Sequence, residues 1–397
     1  MTAVLRALVI GLRTWLVRVP FVLGRLFPLR RRVVLATAHA ARLGGNLAYI
    51  RRELAATHPE IEVVVLAHPP ARGIGGRLSA AAHAILASWH LARARLFVVD
   101  DYFFPIYVVS PRPGTTIVQT WHASGAFKKI GYSVLDKSFG ADATLTSRVP
   151  IHANYDICLV GSQSAAPHYA EAFGLPLDRF VSRLGIPRTD LFFDQQRRRA
   201  AIAAIRRRYP IPSDRRVILY APTFRGDSVT DARQPDGPDI GLLRERLGDD
   251  HVLLLRLHPF VRETVRIGPA DAGFIVDVSD WRDVNELMLV SDVLVTDYSS
   301  AIYEFALLER PILFFAPDHE AYERERGFYF DYRSGVPGPI FDSTEMLADA
   351  LRSRQFDHDR VRAFREASFD IADGHATRRF VDEIVLPALA GRRPQSS

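Results

Sequence analysis

Short apolar runs alternate with amphipathic stretches along most of the chain beyond residue 30. The runs are rich in β-branched residues and are apolar at successive positions, which predicts strands that are buried on both faces. The first series has predicted strands at 33–37, 61–66, 96–100, 116–120 and 157–160, and predicted helices near 45–57, 78–93 and 164–173. An arginine-rich helix at 195–208 precedes the second series, which has predicted strands at 217–220, 252–257, 274–277, 293–296 and 311–315, and predicted helices near 240–247, 283–290, 300–308 and 344–352.

Strands that alternate with helices in this way indicate parallel sheets covered by helices on both faces. Two such series predict two Rossmann-like α/β domains, and a chain of 397 residues is long enough for both. We place the domains at 31–192 and 193–390, after a separate segment at 1–30. Ligands of open parallel sheets bind beyond the carboxyl ends of the strands, so the strand ends are where chemistry is expected.

The segment at 1–30 is apolar but is interrupted by arginines, and Pro20 is expected to end its helix. It contains no uncharged run of about 20 apolar residues, so we expect no spanning helix. Trp15, Phe21 and Phe27 suit the headgroup level of a bilayer, where arginines can extend to the interface. We predict a basic amphipathic helix that binds the anionic cytoplasmic face of the membrane peripherally. A helix that covers a groove on its own domain is the alternative.

Charge is distributed unevenly along the chain. The chain carries a formal net charge of +6, whereas residues 1–52 contain ten arginines and no acid, so the remainder carries −4. A nucleic-acid-binding protein with a basic folded face is therefore not expected. A hydrophobic content of 48% excludes a disordered chain, and the single cysteine, Cys158, excludes an internal disulfide and a multi-cysteine zinc site.

Three strand ends of the second series carry hydroxyl or cationic side chains. They are Thr223 and Arg225 after 217–220, Arg256 and His258 at the end of 252–257, and Ser299 and Ser300 after 293–296. Ser299 and Ser300 also precede a predicted helix, whose free N–H groups favour an anion. Simple helix capping by Ser299 or Asp297 is the alternative. Together the three ends indicate a site for a diphosphate ligand.

In the first series, strand 116–120 is followed by His122 and a small-residue turn that contains Ser124. All three lysines of the chain follow closely, at Lys128, Lys129 and Lys137. A neutral histidine at a strand end can accept a proton from an incoming hydroxyl, because its pKa lies near the working pH. We read Asp100-Asp101 as a strand-end turn rather than a metal-binding pair.

Taken together, these motifs resemble the CDP-glycerol glycerophosphotransferase family of teichoic acid synthesis. The resemblance covers about residues 115–380 and rests on motifs that occur in the same order as in the family: 118–123 (VQTWHA), 125–129 (GAFKK), 185–190 (GIPRTD), 220–225 (YAPTFR), 257–259 (LHP), 296–300 (TDYSS), 310–315 (RPILFF), 327–332 (GFYFDY) and 373–378 (DGHATR).

The resemblance implies two Rossmann-like domains that face each other across a cleft, as in the B-type glycosyltransferase fold (GT-B). It implies transfer of glycerol phosphate, or a related alditol phosphate, from CDP-glycerol to a hydroxyl of a lipid-linked acceptor, with release of CMP. His122 would be the general base and His258 would stabilise the donor phosphates or the leaving group. Donor contacts would come from Arg188, Thr223, Arg225, Arg256, Ser299, Ser300 and Glu304, and Lys128 and Ser124 are possible contacts to the acceptor or a phosphate. No cofactor or metal is expected.

The chain departs from the family pattern in two places. Ala123-Ser124-Gly125 replaces a common Gly-Thr-Pro, and Glu304 stands where aspartate is common. CDP-glycerol and CDP-ribitol therefore both remain possible donors, and the sequence distinguishes neither a primase from a polymerase nor one acceptor or oligomeric state from another. Two other functions stay open: a glycosyltransferase of the same fold that uses a nucleotide sugar, and a non-catalytic protein that binds polyanions at the membrane.

Overall fold

The computed structural model describes residues 3–70, 73–135, 137, 143–226, 232–261 and 267–394. Its strands form two six-stranded sheets in which all pairings are parallel. The first sheet has the order β2-β1-β3-β4-β5-β6, and its strands are β1 (Arg30–Thr37), β2 (Glu62–Ala67), β3 (Ala94–Val99), β4 (Thr116–Gln119), β5 (Ile157–Leu159) and β6 (Phe180–Val181). The second has the order β12-β11-β10-β7-β8-β9, with β7 (Arg216–Tyr220), β8 (His251–Leu255), β9 (Ile275–Asp277), β10 (Val293–Thr296), β11 (Ile312–Phe315) and β12 (Ile340–Phe341).

Helices connect the strands. Those of the first half are α1 (Ala3–Gly24), α2 (Gly45–Thr57), α3 (Gly73–Leu91), α4 (Phe104–Tyr107), α5 (Ala143–Thr146), α6 (Ala166–Phe173) and α7 (Gln195–Arg208). Those of the second half are α8 (Ile240–Leu247), α9 (Val284–Val290), α10 (Ala301–Ala306), α11 (His319–Arg326), α12 (Tyr332–Gly335), α13 (Thr344–Ser353), α14 (His358–Ser368), α15 (Ala376–Phe380) and α16 (Leu386–Leu389).

The two predicted α/β series are confirmed, since every predicted strand and helix is present with its ends shifted by a few residues. The strands β6 and β12 were not predicted, because each has only two residues and so carries no apolar run. The expectation that Pro20 ends the first helix is wrong, because α1 continues to Gly24. Contacts with α3 and the residue after it lie on both sides of Pro20: the Ser88 hydroxyl donates to the Val17 carbonyl, and Gly24 packs closely on Ala92.

Helices cover both faces of the first sheet, as the alternation of side chains along β1 shows. Val33 and Leu35 pack in the core with α2, whereas Val34 and Ala36 pack in the core with α1 and α3. Helices α1 and α2 therefore lie on opposite faces of this sheet. Because helices cover both faces of the sheet, a ligand site is expected beyond the carboxyl ends of its strands.

The end of the chain returns to the first half. Residues 376–389 contact α2, β1 and β3, although they follow the second sheet in sequence. The Asp190 carboxylate accepts the backbone N–H groups of Ala376 at 2.9 Å and Thr377 at 2.8 Å, and these bonds fix the start of α15. The domain division at residues 192 and 193 stays a prediction.

Helix α1 is the one described helix that is long and apolar enough to cross a membrane, by length and composition alone. The expectation that no such segment exists is therefore not upheld. Its arginines approach the protein body: the Arg13 guanidinium lies 4.0 Å from the centre of the Phe104 ring, and Arg18 Nε donates to the Val108 carbonyl at 2.7 Å. The opposite side exposes large apolar side chains, including Leu8, Leu12 and Trp15, each at least 60% exposed.

Candidate active site

A cavity of about 980 Å³, called here the central cavity, is lined by residues of both halves. From the first half come residues that follow β1, β3 and β4, and from the second half come residues that follow β7, β8 and β10. Five of the predicted site residues line it: His122, Arg188, Arg256, His258 and Ser299. The carboxyl ends of strands from both sheets thus meet at one site, as predicted from the positions of the site residues at strand ends.

His122 follows β4 and faces Asp101, which follows the neighbouring strand β3. Its Nδ1 lies 3.6 Å from Asp101 Oδ2, and its ring stacks on Trp121 with the ring centres 4.5 Å apart. The side chain remains 48% exposed, because it opens into the cavity. Desolvation by the surrounding walls lowers the pKa of His122, and the Asp101 carboxylate opposes that shift. The neutral imidazole that results at neutral pH is the form that accepts a proton.

His258 approaches the same cavity from the end of β8. Its Nδ1 accepts the backbone N–H of Phe260 at 3.2 Å, so a neutral ring carries its proton on Nε2. Phe224 and Phe260 pack against the ring, with ring centres 4.8 and 4.7 Å away. Burial lowers the pKa of His258 to about 3, and the charges of Lys128 and Arg256 add to the shift. His258 is therefore a neutral donor at neutral pH.

The ends of β7 and β10 are tied together by Asp297. Its Oδ1 accepts the backbone N–H groups of Thr223 at 2.7 Å and Tyr298 at 2.6 Å. The Thr223 hydroxyl is buried and has no hydrogen-bond partner in the described structure. Ser299 Oγ accepts the N–H of Ala301, the first residue of α10, at 3.2 Å, and the Ser299 side chain also lines the cavity, whereas the N-cap position itself is held by Ser300.

The sequence model of the CDP-Glycerol:Poly(glycerophosphate) glycerophosphotransferase family matches residues 21–386. The chain belongs to this family. It is 36% identical to the teichoic acid ribitol-phosphate primase of Bacillus spizizenii, over 91% of this chain and 93% of the primase. It is 33% identical to the teichoic acid poly(ribitol-phosphate) polymerase of the same organism, and there it spans only 58% of the relative's length. The wall teichoic acid polymerase TagF has the same fold, with a TM-score of 0.78 and 22% identity over 98% of this chain and 97% of that chain.

Arg188, Glu304 and Ser124 form one buried cluster at the cavity wall. The Glu304 carboxylate accepts hydrogen bonds from the Arg188 guanidinium and the Ser124 hydroxyl, and it is 1% exposed. Arg188 Nη1 donates to the His122 carbonyl at 2.8 Å. Glu304 and Ser124 do not line the central cavity, so their predicted contacts with donor or acceptor stay predictions.

Arg225 binds two carboxylates instead of opening into the cavity. Its Nε and Nη2 donate to Asp318 at 2.7 and 3.0 Å, and its Nη1 donates to Asp297 at 3.0 Å. Lys128 is half-buried nearby, and burial lowers its pKa to about 8 while Asp297 opposes the shift. Neither side chain lines the cavity, nor do Thr223 and Ser300.

Asp101, His39 and Asn46 belong to the site but were not predicted. His39 Nδ1 lies 3.3 Å from Asp101 Oδ2, and both line the cavity. Asn46 is 3% exposed, donates to the Thr120 and Trp121 carbonyls at 3.0 Å and accepts the Arg188 N–H at 3.1 Å. The position of Asp101 at the end of a strand next to 116–120 was a signal available in the sequence.

The central cavity contains carboxylates as well as histidines, which are groups that can ligate a metal ion. Asp100 is 5% exposed, and burial raises its pKa to about 6 while His39 opposes the shift. Across the described ranges, no group of three or more histidine, cysteine, aspartate or glutamate side chains is arranged to hold a metal ion.

Proposed function

We propose that the protein transfers an alditol phosphate, from CDP-glycerol or CDP-ribitol, to a hydroxyl of a lipid-linked acceptor and releases CMP. The observation that carries this proposal is the placement of His122 and His258, from different halves, in one cavity of about 980 Å³. In this proposal the cavity is the cleft between two facing Rossmann-like domains of a GT-B fold. The volume is within the range that encloses a nucleotide-sized ligand.

His122 acts as the general base in this mechanism. The acceptor hydroxyl gives its proton to His122 as its oxygen attacks the alditol-bearing phosphorus, and the bond from that phosphorus to the CMP oxygen breaks. Asp101 supports the step because its carboxylate stabilises the imidazolium that forms. Arg188 fixes the backbone of His122 through its hydrogen bond to the carbonyl.

The second half holds the donor diphosphate and stabilises the leaving group. His258 presents Nε2–H, Arg256 lies at the cavity wall with its buried Nε unpaired, and Ser299 lies at the start of α10. Such donors are already oriented when charge develops on the phosphate oxygens, which is where they lower the barrier. The buried Thr223 hydroxyl, Ser300 and Lys128 complete this set in the proposal.

Glu304, Ser124 and Arg225 support the site through other residues. Glu304 and Ser124 orient Arg188, while Arg225 holds Asp297 and thereby the ends of β7 and β10. The hydrogen-bonding groups of Glu304 and Arg225 face protein partners, and the direct ligand contacts expected from the sequence stay predictions.

The decisive experiment offers CDP-glycerol and CDP-ribitol with short lipid-linked acceptors, and measures CMP release and the mass of the product. We expect CMP release that depends on acceptor and is lost in His122→Ala. His58→Ala is the matched control, because the His58 side chain pairs with Glu60 and neither residue lines the central cavity. Release from UDP-sugars alone would select the glycosyltransferase, and polymer binding without any release would select the non-catalytic protein.

We propose in addition that α1 holds the protein peripherally on the cytoplasmic face of the membrane. Its outward apolar side, with Leu8 65% and Leu12 61% exposed, would enter the interface. Arg30 and Arg31 follow the helix and are exposed, so they would meet anionic headgroups. The contacts of Arg13 and Arg18 with the protein body favour a helix lying along the surface over one that spans the bilayer.

Flotation with vesicles that contain anionic lipid tests this placement. Leu8→Glu/Leu12→Glu is expected to lose most vesicle binding, because charge then enters the interface. Leu177→Glu/Met346→Glu introduces the same charge at exposed apolar residues elsewhere and is expected to float like wild type. Equal flotation of all three proteins would contradict the proposal.

A further inference from the structure

A second cavity of about 410 Å³ adjoins the central cavity in the first half. Four arginines line it, namely Arg42, Arg51, Arg52 and Arg282, and we call it the arginine groove. Arg42, Arg52 and Arg282 also line the central cavity, so the two cavities are neighbours along one wall. The groove therefore leads directly towards the space into which His122 opens.

Two of the four arginines of the groove carry charge that no protein group compensates in the described structure. None of its lining residues is an aspartate or glutamate. In the described parts of the chain, the side chains of Arg42 and Arg51 make no hydrogen bond or ion pair with protein. Arg282 donates to the Leu43 carbonyl, and the Arg52 guanidinium lies 5.3 Å from the centre of the Tyr49 ring. Arg52 interacts electrostatically with Glu286 and Arg282 with Asp283, and both acids line the central cavity.

A solvated helix surface is the simpler explanation for exposed arginines, and α7 provides the comparison. There Arg197 pairs with Asp194 at 3.0 Å, whereas the exposed side chains of Arg206 and Arg207 have no partner in the described structure, so a missing partner alone does not indicate a site. The arginine groove differs because it is concave, and its floor is made of small apolar side chains such as Ala48 and Ala67. A concave site with four guanidinium groups, two of them unpaired in the described structure, fits an extended ligand with more than one phosphate.

We propose that the arginine groove binds the phosphate groups of the acceptor while the acceptor's terminal hydroxyl reaches His122. This inference rests on the proposed transfer reaction, since it assigns the groove to that reaction's second substrate. The ligand is a chain of phosphodiester-linked polyols or the diphosphate of a lipid-linked saccharide. Phosphate of a bilayer headgroup is the other source of the same chemistry. The groove lies on the α2 face of the first sheet, opposite the exposed side of α1, which favours the acceptor.

Acceptors that carry one, two and four alditol-phosphate units test the assignment in steady-state kinetics. For wild type we expect the acceptor KM to fall as phosphates are added. Arg42→Gln/Arg51→Gln should raise the KM of the longest acceptor by at least about tenfold, because the loss of even one charge-assisted contact has that effect, and should leave the donor KM unchanged. Arg206→Gln/Arg207→Gln removes the same charge from exposed positions of α7 outside both cavities and should retain the wild-type KM values.

Two results would overturn the assignment. One is an acceptor KM in Arg42→Gln/Arg51→Gln within twofold of wild type at every length. The other is an equal rise in the α7 control, which would mean that general surface charge attracts the acceptor. Flotation on anionic vesicles separates the sources: a loss of vesicle binding in Arg42→Gln/Arg51→Gln, with unchanged acceptor KM, would assign the groove to headgroups and reject the acceptor.

Equilibrium binding tests the assignment of the groove independently of the transfer reaction. A soluble glycerol-phosphate oligomer of four units should bind wild type about tenfold more tightly than Arg42→Gln/Arg51→Gln, and bind the α7 control like wild type. Wild type that releases no CMP from either CDP-alditol would reject the proposed function, whereas equal oligomer binding by all three proteins would reject the groove.

Discussion

Asp101 Oδ2 lies 3.6 Å from Nδ1 of His122, and the two residues follow neighbouring parallel strands. The distance is beyond a hydrogen bond but within the range of charge interaction, and such contacts shorten in many enzymes when substrate binds. Asp101 also faces His39, so one carboxylate serves two imidazoles at the cavity wall.

Asp101→Asn is therefore expected to lower kcat about a hundredfold, because the imidazolium loses its counter-charge. Asp101 raises the pKa of His122 against the effect of burial, so its removal lowers that pKa further. A base works only when unprotonated, and the acid limb of kcat/KM should move to lower pH in the variant. The pH profile measures this. Asp178→Asn, an exposed change, should leave the limb in place; a limb that stays or rises in Asp101→Asn would contradict the pairing.

The hydrogen bond from the Phe260 N–H to Nδ1 makes His258 a donor through Nε2. His258→Ala should lower kcat by about a hundredfold to a thousandfold, the usual cost of losing one oriented donor to a developing charge. The pKa of His258 is about 3, so protonation of this ring occurs well below the pH range of the assay. The acid limb of the kcat profile should thus lie at the same pH in His258→Ala as in wild type, while kcat itself falls at every pH. A limb that shifts on this substitution would show that His258 titrates in the working range.

Glu304 and Arg188 form a buried ion pair, with side chains 2% and 14% exposed. Glu304→Gln leaves the Arg188 charge without its partner, and we expect a loss of about 3 kcal/mol in the free energy of unfolding. Urea denaturation followed by circular dichroism measures it. The exposed change Glu345→Gln should alter the free energy of unfolding by less than about 0.5 kcal/mol. A similar, small effect for both variants would mean that solvent replaces the ion pair.

Much of the site was predictable because parallel strands bring their carboxyl ends to one edge. His258 and Ser299 follow β8 and β10, which flank β7, so local sequence was enough to place them together. The partners of Arg225 were not predictable in this way. Asp318 is 93 residues further along the chain, and nothing in the local pattern of either residue indicates the contact.

Long-range packing also explains the other differences between the structure and the predictions from the sequence. Asn46 reaches the carbonyl of Thr120, 74 residues away, so a polar residue at a helix start gives no sign of this role. Pro20 lies inside α1 because contacts with α3 maintain the helix beyond the residue where propensity alone would end it. In each case the local sequence pattern predicts the helix or strand, while tertiary contacts determine what it packs against and where it ends.

Gly125 lies where a loop of the first half meets α10 of the second half. A Cβ at this position would overlap the ring of Tyr303, which is buried and stacks on Phe364 with ring centres 5.1 Å apart. The ring has little room to move, so Gly125→Ala should destabilise the protein by about 1–3 kcal/mol.

Tyr303→Ala opens the space that the new methyl group needs, so the double variant Gly125→Ala/Tyr303→Ala should be more stable than the sum of the single changes predicts, by about 1 kcal/mol or more. Urea midpoints of the four proteins give this coupling. Gly75→Ala serves as the control, because no heavy atom would lie within 4 Å of its Cβ. Because Gly75 lies in a helix, that change should be neutral or slightly stabilising. Additive effects in the cycle would mean that the loop moves away from α10 and that its contact with Tyr303 does not hold the two halves in register.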